Sequence, residues 1–509
     1  MVRAELGPIA AQVDQRLRRL RDDDVVARIL RRDHTVWKPD PTEIIDRLGW
    51  LDVVPAMRAH LEDLRGFAME AAVDGFTRAV LCGMGGSSLA PEVMRYTLGV
   101  ADGMLDLVVL DSTHPRTVER VAAALDLDRT LFLIASKSGS TIETRSHLAY
   151  FWDRTQQKAD RFVAITDAGS PLEQLAGDRR FRGVFTNPPD IGGRYSALSL
   201  FGLVPAALLG ADLDRLLATA GAMADACARS DGPGAWLGAV IGEAALAGRD
   251  KLTLLFEPAL QHLGDWIEQL VAESTGKEGT GILPVVGEQL GPPEAYGDDR
   301  VFVATGDVDG LDALEGAGHP VVRIEATADD LGAEFYRWEF ATAIAGHVLG
   351  IHPFDQPNVA EAKAATAEIL QGGDQGEQLD GAGLASVLAT IKPGDHVALL
   401  AYLDRVPEAE ARLARARSRL RDRHRVATTV GFGPRYLHST GQLHKGGPNT
   451  GVFIEIVEPG YGREVEIPGE AFTFGGLIDA QARGDLRSLS ARGRRVARTT
   501  LDALGVELG

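Results

Sequence analysis

The chain has 509 residues, of which 45% are hydrophobic and 25% are charged, a composition typical of a globular protein with a sizeable core. Its net charge of -19 and pI near 5.1 disfavour nucleic acid or an anionic membrane as a partner. A phosphorylated substrate would need a locally basic pocket. Because Cys82 and Cys227 are the only cysteines, the sequence excludes a disulfide framework and a cysteine-built metal site.

The N-terminal residues lack a continuous apolar run of signal-peptide length. No segment of the sequence reaches the roughly 18 apolar residues that a membrane span needs. Together with the low cysteine content, this predicts a cytoplasmic protein without a membrane partner. Residues 1–75 are charged and helix-patterned, as expected of an N-terminal segment of solvated helices, and we assign them no chemistry.

Between residues 76 and 231, short apolar runs alternate with helical stretches. The runs are RAVLC, LDLVVL, LFLIA, RFVAIT and RGVFT. Such alternation is typical of βα units in a parallel sheet covered by helices on both faces. A second α/β unit follows over residues 232–370, with KLTLLFEP, GILPVV, RVFVAT and PVVRIE as strand candidates.

The last part of the chain begins after an expected exposed linker, QGGDQGEQLDGA, at residues 371–382. Residues 383–509 are again α/β in style, with KPGDHVALLAYL, VATTVGFG and TGVFIEIV as strand candidates. The pattern leaves open whether this part is a third domain or completes the second sheet. The basic run at residues 487–498 indicates a solvated helix.

Residues 131–144, LFLIASKSGSTIET, have the layout of a site for an anionic group. An apolar strand ends in a loop of Ser, Lys, Gly and Thr residues, here called the serine loop (residues 136–141), and a helix follows. Hydroxyls, backbone N–H groups, the helix N-terminus and a lysine all suit phosphate oxygens. Ligands of parallel sheets bind at this end of the strands. The alternative is an ordinary turn capped by its own hydroxyls. A glycine loop, GMGGSS at residues 83–88, follows RAVLC in the same way.

Two predicted helices carry further candidate residues. Residues 259–273 have the spacing of an amphipathic helix, which places Gln269 and Glu273 on one face. Glu273 lies in the last turn, a position that suits a proton-transfer base, although a solvated glutamate is the alternative. The segment FDQPN opens a helix with Gln356 and Lys363 on one side, where an ordinary surface lysine is the alternative.

Together these segments resemble the glucose-6-phosphate isomerase family, which is built from two sugar-isomerase (SIS) domains. The matching segments are GMGGSSLAPEV, SKSGSTIET, GGRYSALSLFGLVP, QLVAESTGK and FDQPNVAEAK. The resemblance implies an α/β fold of two doubly wound parallel-sheet domains, with an N-terminal helical segment and a permuted C-terminal α/β extension.

The permutation is implied by the position of the histidine motif. The family's motif is matched by LHSTGQ at residues 437–442, beyond Lys363 instead of before it. This order resembles the isomerase half of fused transaldolase/glucose-6-phosphate isomerases. The residues before 75 are too few for a transaldolase barrel, so we expect only the isomerase activity.

The resemblance implies reversible isomerisation of glucose 6-phosphate and fructose 6-phosphate, as in glycolysis and gluconeogenesis, without a metal or organic cofactor. His438, helped by Lys363, would open the sugar ring; Glu273 would move the carbon-bound proton. Arg194 would stabilise the enediolate. The implied phosphate and sugar ligands are Gly86, Ser87, Ser136, Lys137, Ser138, Gly139, Ser140, Thr141, Gln269 and Gln356.

Several alternatives remain at this point. The substrate could be mannose 6-phosphate or another phosphosugar, and a non-catalytic SIS-type sensor would need the phosphate loops without the catalytic set. A glutamine-dependent hexosamine-phosphate synthase is disfavoured because its cysteine nucleophile follows the initiator methionine, whereas Val2 stands here. His444 competes with His438 for the ring-opening role. The chain could form a homodimer that shares its histidine, or complete its own site.

Overall fold

The computed structural model describes residues 2–372, 383–461 and 465–509, so most of the expected linker, from residue 373 onward, lies outside the described residues. The strands are β1 (Val2–Glu5), β2 (Arg78–Cys82), β3 (Asp106–Leu110), β4 (Thr130–Ala135), β5 (Phe162–Asp167), β6 (Gly183–Asn187), β7 (Lys251–Phe256), β8 (Leu283–Val285), β9 (Arg300–Thr305), β10 (Val321–Ile324), β11 (His396–Tyr402), β12 (Ala427–Phe432), β13 (Gly451–Val457) and β14 (Arg495–Thr499). The helices are α1 (Ala10–Asp22), α2 (Val25–Leu30), α3 (Val53–Arg58), α4 (Leu61–Val73), α5 (Leu89–Leu98), α6 (Pro115–Ala123), α7 (Ile142–Arg154), α8 (Pro171–Arg179), α9 (Leu200–Leu208), α10 (Leu213–Cys227), α11 (Pro233–Leu246), α12 (Leu263–Thr275), α13 (Leu311–Gly316), α14 (Leu331–Leu349), α15 (Val359–Leu370), α16 (Leu384–Leu388), α17 (Pro407–His424), α18 (Gly441–Gly446), α19 (Phe474–Ala491) and α20 (Leu501–Leu508).

The first sheet has the strand order β3-β2-β4-β5-β6, and every pair in it is parallel. Successive residues of β2 enter two different hydrophobic cores, Ala79 and Leu81 on one face and Val80 and Cys82 on the other. A sheet that is apolar on both faces must be covered by helices on both, which is why its strands are continuous apolar runs in the sequence. The predicted α/β class with parallel sheets is confirmed.

The second sheet has the order β1-β10-β9-β7-β8. Its four later strands are parallel, whereas β1 joins the edge antiparallel to β10, with Val2 opposite Ile324. The sequence did not predict this strand within the N-terminal segment. Four residues are too few to show a period, and their partner lies at the far end of the second α/β unit.

The strands of residues 383–509 form a sheet of their own, in the order β12-β11-β13-β14, with all pairs parallel. The prediction of a solvated helix over residues 487–498 was wrong for its second half, because residues 495–499 form the edge strand β14. Two arginines of β14 form ion pairs with buried carboxylates. Arg495 forms an ion pair with the buried Asp395, and Arg498 forms one with the buried Glu455.

A buried ion pair joins the second and third sheets. Arg300 on β9 is fully buried and contacts Glu288, with 3.1 Å between Nη2 and Oε1. The other oxygen of Glu288 accepts a hydrogen bond from Thr428 on β12 at 3.0 Å. Arg300 also donates to the Thr253 hydroxyl on β7 at 2.7 Å. These bonds hold the third sheet against the second sheet. They thereby also position residues 437–442, here called the histidine segment, which carry His438.

We expect Glu288→Ala to lower the free energy of unfolding by about 3 to 5 kcal/mol, because it leaves the Arg300 guanidinium buried without its counter-charge. Urea unfolding followed by circular dichroism measures the change. Glu294→Ala, on the exposed surface of the same connection, is the control and should lie within about 0.5 kcal/mol of the parent. An equal, small effect of both substitutions would contradict this account.

The longest buried helix is α14, which packs against α10, α11 and α12 in the core between the first two sheets. It is apolar on nearly all sides yet carries Glu334, Arg337 and Glu339 among its buried residues. Within the described ranges, none of the helices combines the length and the apolar character needed to cross a bilayer.

Candidate active site

A cleft of about 360 Å³ opens where the carboxyl ends of the first-sheet strands face α12 and the histidine segment. Its walls come from all parts of the chain, including the N-terminal segment to which the sequence assigned no chemistry. The lining residues are Glu43, Arg47, Met84, Gly85, Gly86, Ser87, Lys137, Ser138, Thr141, Asp167, Gly192, Gly193, Arg194, Gln269, Glu273, Phe354, Gln356, Lys363 and His438.

The serine loop divides into residues that line the cleft and residues that shape the loop. Lys137, Ser138 and Thr141 line the cleft, as predicted for phosphate ligands. Ser136 does not: its buried hydroxyl lies 2.9 Å from that of Thr141 and accepts from the Gly139 backbone at 3.1 Å. Gly139 adopts a φ of +66°, and a Cβ there would lie 2.7 Å from the backbone nitrogen of Leu172, so only glycine fits.

Ser140 lies outside the cleft, whereas the glycine loop forms part of its wall. The Ser140 hydroxyl lies 2.9 Å from that of Ser138 and outside the cleft lining, facing a smaller adjoining cavity. Gly86 and Ser87 line the cleft, and Gly86 packs so closely on the next loop that a Cβ would lie 2.0 Å from the Gly193 carbonyl oxygen. The backbone of the glycine loop therefore contacts the backbone of residues 192–194, the Gly-Gly-Arg segment.

Lys137 is not a free cation in this structure. Its ammonium group binds the Asp167 carboxylate and donates to the Pro189 carbonyl at 2.9 Å. Burial raises the pKa of Asp167 above its ordinary value even though Lys137 opposes the shift. Sequence reasoning missed Asp167, although an aspartate directly after the β5 run RFVAIT sits at the strand end where ligands bind.

We expect Lys137→Ala to weaken the binding of inorganic phosphate by about 10-fold or more, because a charge-assisted hydrogen bond is lost. Asp167→Asn should have the opposite effect, since it releases the ammonium group from its competitor. Titration calorimetry measures both affinities. Lys158→Ala removes an exposed lysine paired with Asp128 and serves as the control. Equal affinities of Lys137→Ala and the parent would contradict the predicted role of this lysine in anion binding.

Glu273 lies in the last turn of α12, buried to 5% exposure, with both carboxylate oxygens engaged. Gln269, one turn earlier, donates to Oε2 at 3.0 Å, as the predicted shared face requires. Arg194 approaches Oε1 at 3.3 Å from the other side. The carboxylate is thus held in one orientation with a guanidinium beside it.

Arg194 is itself fixed by three further acceptors. Its Nε donates to the Ser274 hydroxyl at 2.8 Å, and its Nη2 donates to the carbonyls of Pro353 and Asp355 at 2.8 and 2.9 Å. The buried Lys277, which the sequence did not single out, also binds Asp355, at 2.6 Å. Burial lowers the pKa of Lys277 to about 8. These bonds hold residues 353–355, which precede α15, against Arg194 and Lys277 beside the cleft.

His438 reaches the cleft from the third sheet's side. Its Nε2 lies 3.0 Å from Oε1 of Glu143, and its backbone carbonyl accepts a 2.8 Å bond from Gln269. Burial opposes ionisation of Glu143, but the positive charge and hydrogen bond of His438 outweigh it and hold the pKa of this carboxyl below its ordinary value. Glu143 stands in the motif SKSGSTIET, where a glutamate in the first turn of α7 is indistinguishable from a helix-capping residue.

The remaining predicted residues divide between cleft and core. Lys363 on α15 and Gln356 in the preceding loop line the cleft. His444 is buried on α18 against Phe453 and Tyr436 and is absent from the cleft lining, so only one of the two candidate histidines is placed to meet a ligand.

The model of the phosphoglucose isomerase family matches residues 26–289. The chain belongs to this family. The glucose-6-phosphate isomerase of Rubrobacter xylanophilus is 30% identical to it over 378 residues, which cover 62% of this chain and 87% of that protein. The matched residues 26–289 contain every strand of the first sheet and strands β7 and β8 of the second. Strands β9 and β10, the third sheet and His438 lie beyond them.

Two solved structures share the fold of this chain. A hypothetical protein from Thermus thermophilus superposes with a TM-score of 0.62 at 26% identity, covering 73% of this chain and all of that one. The glucose-6-phosphate isomerase of Chlamydia trachomatis shares the fold with a TM-score of 0.62 at 19% identity, covering 72% of this chain and 87% of its own.

Proposed function

We propose that this member of the phosphoglucose isomerase family interconverts glucose 6-phosphate and fructose 6-phosphate. The observation that carries the proposal is the convergence of Glu273, Arg194, His438 and the serine loop on one cleft. A volume of about 360 Å³ accommodates a six-carbon sugar with its phosphate. The reaction needs a group to open the ring, a base for the carbon-bound proton and a cation for the intermediate, and the cleft offers one of each.

Ring opening is assigned to His438. Its Nε2 is engaged by Glu143, so Nδ1 is the ring nitrogen left to exchange a proton with the sugar. Nδ1 accepts the proton of the anomeric hydroxyl and passes it to the ring oxygen as the C–O bond of the sugar ring breaks. The Glu143 carboxylate stabilises the imidazolium that exists between these two transfers. Lys363 lines the same cleft and assists by stabilising negative charge on the ring oxygen.

Proton transfer between C2 and C1 is assigned to Glu273. The carboxylate removes the proton from one carbon and returns it to the other, which needs a base held still on one side of the enediolate. The bonds from Gln269 and Arg194 supply that restraint. Because the Arg194 guanidinium is already in place before reaction, it can stabilise the enediolate charge without reorganising.

The phosphate does not react, and its binding supplies the positioning energy for the rest of the sugar. We assign it to Ser87, Lys137, Ser138 and Thr141 in the cleft, with Gly86 as a backbone donor. Ser136, Gly139 and Ser140 support the loop in this proposal. Gln356 is assigned to a sugar hydroxyl. His438 and Glu273 of the same chain line one cleft, so we further propose that a single chain completes its site.

A coupled assay tests the proposal by following glucose 6-phosphate formed from fructose 6-phosphate. We expect turnover in both directions by the purified chain. Mannose 6-phosphate, offered in the same assay, measures how strictly the enzyme selects the configuration at C2. Tight binding of fructose 6-phosphate without any turnover would instead favour the non-catalytic sensor.

A further inference from the structure

A chain of buried hydrogen bonds leads from Thr113, outside the cleft lining, to His438. The Thr113 hydroxyl donates to Oε1 of Gln481 at 2.7 Å. Gln481 donates through Nε2 to Oε1 of Glu143 at 2.8 Å, and the same oxygen lies 3.0 Å from Nε2 of His438. The three residues behind the histidine are all but inaccessible, with exposures of 0% for Thr113, 2% for Gln481 and 3% for Glu143.

We propose that Gln481 is a positioning residue, which orients the Glu143 carboxylate toward His438 and keeps it ionised. The assignment rests on the proposed function, because the histidine must be held in the tautomer that leaves Nδ1 for the sugar. Gln481 stands on α19 in the third sheet's part of the chain, beyond the residues that the family model matches.

The direction of the Gln481 amide follows from its neighbours. A carboxylate can only accept hydrogen bonds when ionised, so the NH₂ group must face Glu143 and the oxygen must face Thr113. Thr113 supplies the donor that this oxygen needs. Each polar atom of the amide therefore has a partner of the right kind, and the side chain has one stable orientation.

The loop that carries Thr113 is anchored to the helix that carries Glu143. His147, one turn after Glu143 on α7, donates through Nε2 to the Ser112 carbonyl at 3.0 Å. Burial lowers the pKa of His147 to about 4, so its ring is neutral at physiological pH. This bond holds the residues after β3 against the first turns of α7, and Gln481 spans the gap between Thr113 and Glu143.

Gln481 affects catalysis through the ionisation of the buried Glu143 carboxyl. Charge on His438 and Lys363 favours the ionised form of Glu143, and the third titratable group facing it, His147, is neutral. The Gln481 amide adds a second donor on Oε1, so its loss favours protonation. A protonated Glu143 no longer stabilises the imidazolium of His438. Removing the Gln481 amide should therefore lower kcat and move the acid limb of the pH profile to higher pH, with little change in KM because the amide does not touch the sugar site.

The test compares Gln481→Leu, Thr113→Val and Thr113→Ser with the parent. We expect Gln481→Leu to lower kcat about 10-fold, since a hydrogen bond to a charged group is lost. Its acid limb should shift upward. Thr113→Val should show a smaller effect in the same direction, and Thr113→Ser, which keeps the hydroxyl, should restore parent behaviour. Ser488→Ala, on the same helix, is the control for substitution in α19.

A second measurement separates this proposal from the proposed function. Carbon-13 NMR of the Glu143 carboxyl in the parent and in Gln481→Leu reports its titration whether or not the chain turns over fructose 6-phosphate. We expect titration at higher pH in the variant. No turnover by the parent would overturn the function alone. An unchanged Glu143 titration, or unchanged kcat and pH profiles in both Gln481→Leu and Thr113→Val, would overturn the positioning role. If Gln481→Leu does not fold, the two threonine variants decide.

Discussion

Glu273→Gln should lower the turnover of fructose 6-phosphate by about 1000-fold, the range expected when a general base is removed. Glutamine has the same shape and can still contact Gln269, and Arg194 keeps its bonds to Ser274 and to two backbone carbonyls. Binding should therefore survive. The affinity for a phosphorylated sugar acid, measured by inhibition or calorimetry, should stay within a few-fold of the parent's.

A matched control lies on the same helix. Glu268 faces a separate cavity on the other side of α12, lined among others by Arg417 and Arg435. Burial raises its pKa to about 8, and Glu268→Gln keeps the shape of a side chain that lies outside the cleft lining. This variant should keep parent turnover. If Glu273→Gln retained activity within about 10-fold of Glu268→Gln, the base would have to be assigned elsewhere.

His438→Asn is expected to have the second-largest effect, a loss of turnover of about 100-fold to 1000-fold. Asparagine keeps a polar group in place but cannot exchange a proton near neutral pH. Glu143 retains its bond from Gln481, so the cleft should keep its shape. The coupled assay with fructose 6-phosphate, which is mainly cyclic, measures the loss because the substrate must first be opened.

The competing histidine supplies the comparison. Burial lowers the pKa of His444 well below its ordinary value, and the ring packs against aromatic side chains outside the cleft. His444→Asn should therefore cost stability, since it puts an amide in an apolar site, while the folded enzyme keeps its turnover. Loss of turnover in folded His444→Asn together with an active His438→Asn would reverse the assignment.

Local pattern was enough to predict the α/β class and most strands. A parallel strand that is buried on both faces has a continuous apolar sequence, regardless of which strands it pairs with. The runs RAVLC and LFLIA therefore identified β2 and β4 directly. Pattern failed at the edges. The strands β1 and β14 are short or rich in arginine, and their β conformation depends on pairing with β10 and β13.

The candidate site was predictable where its chemistry lies within one segment. The serine loop carries its hydroxyls, backbone donors and helix N-terminus in consecutive residues, and Gln269 and Glu273 share a helix face by spacing alone. The resemblance to a known family added Arg194 and His438 and gave a catalytic role to Lys363, which the spacing had already placed on a helix face with Gln356. The structure places Gln269, Glu273, Arg194, Lys363 and His438 in one cleft with part of the serine loop, and the roles given to them stay proposals.

What the sequence by itself determined was the fold class and a set of candidate groups for the chemistry. Only the tertiary structure decided which of those groups are paired: that Asp167 holds Lys137, that Glu143 holds His438, and that Gln481 holds Glu143. The reason is physical. Backbone propensity and side-chain period act over a few residues, whereas a buried charge finds its partner wherever packing brings one, here as far as 338 residues along the chain.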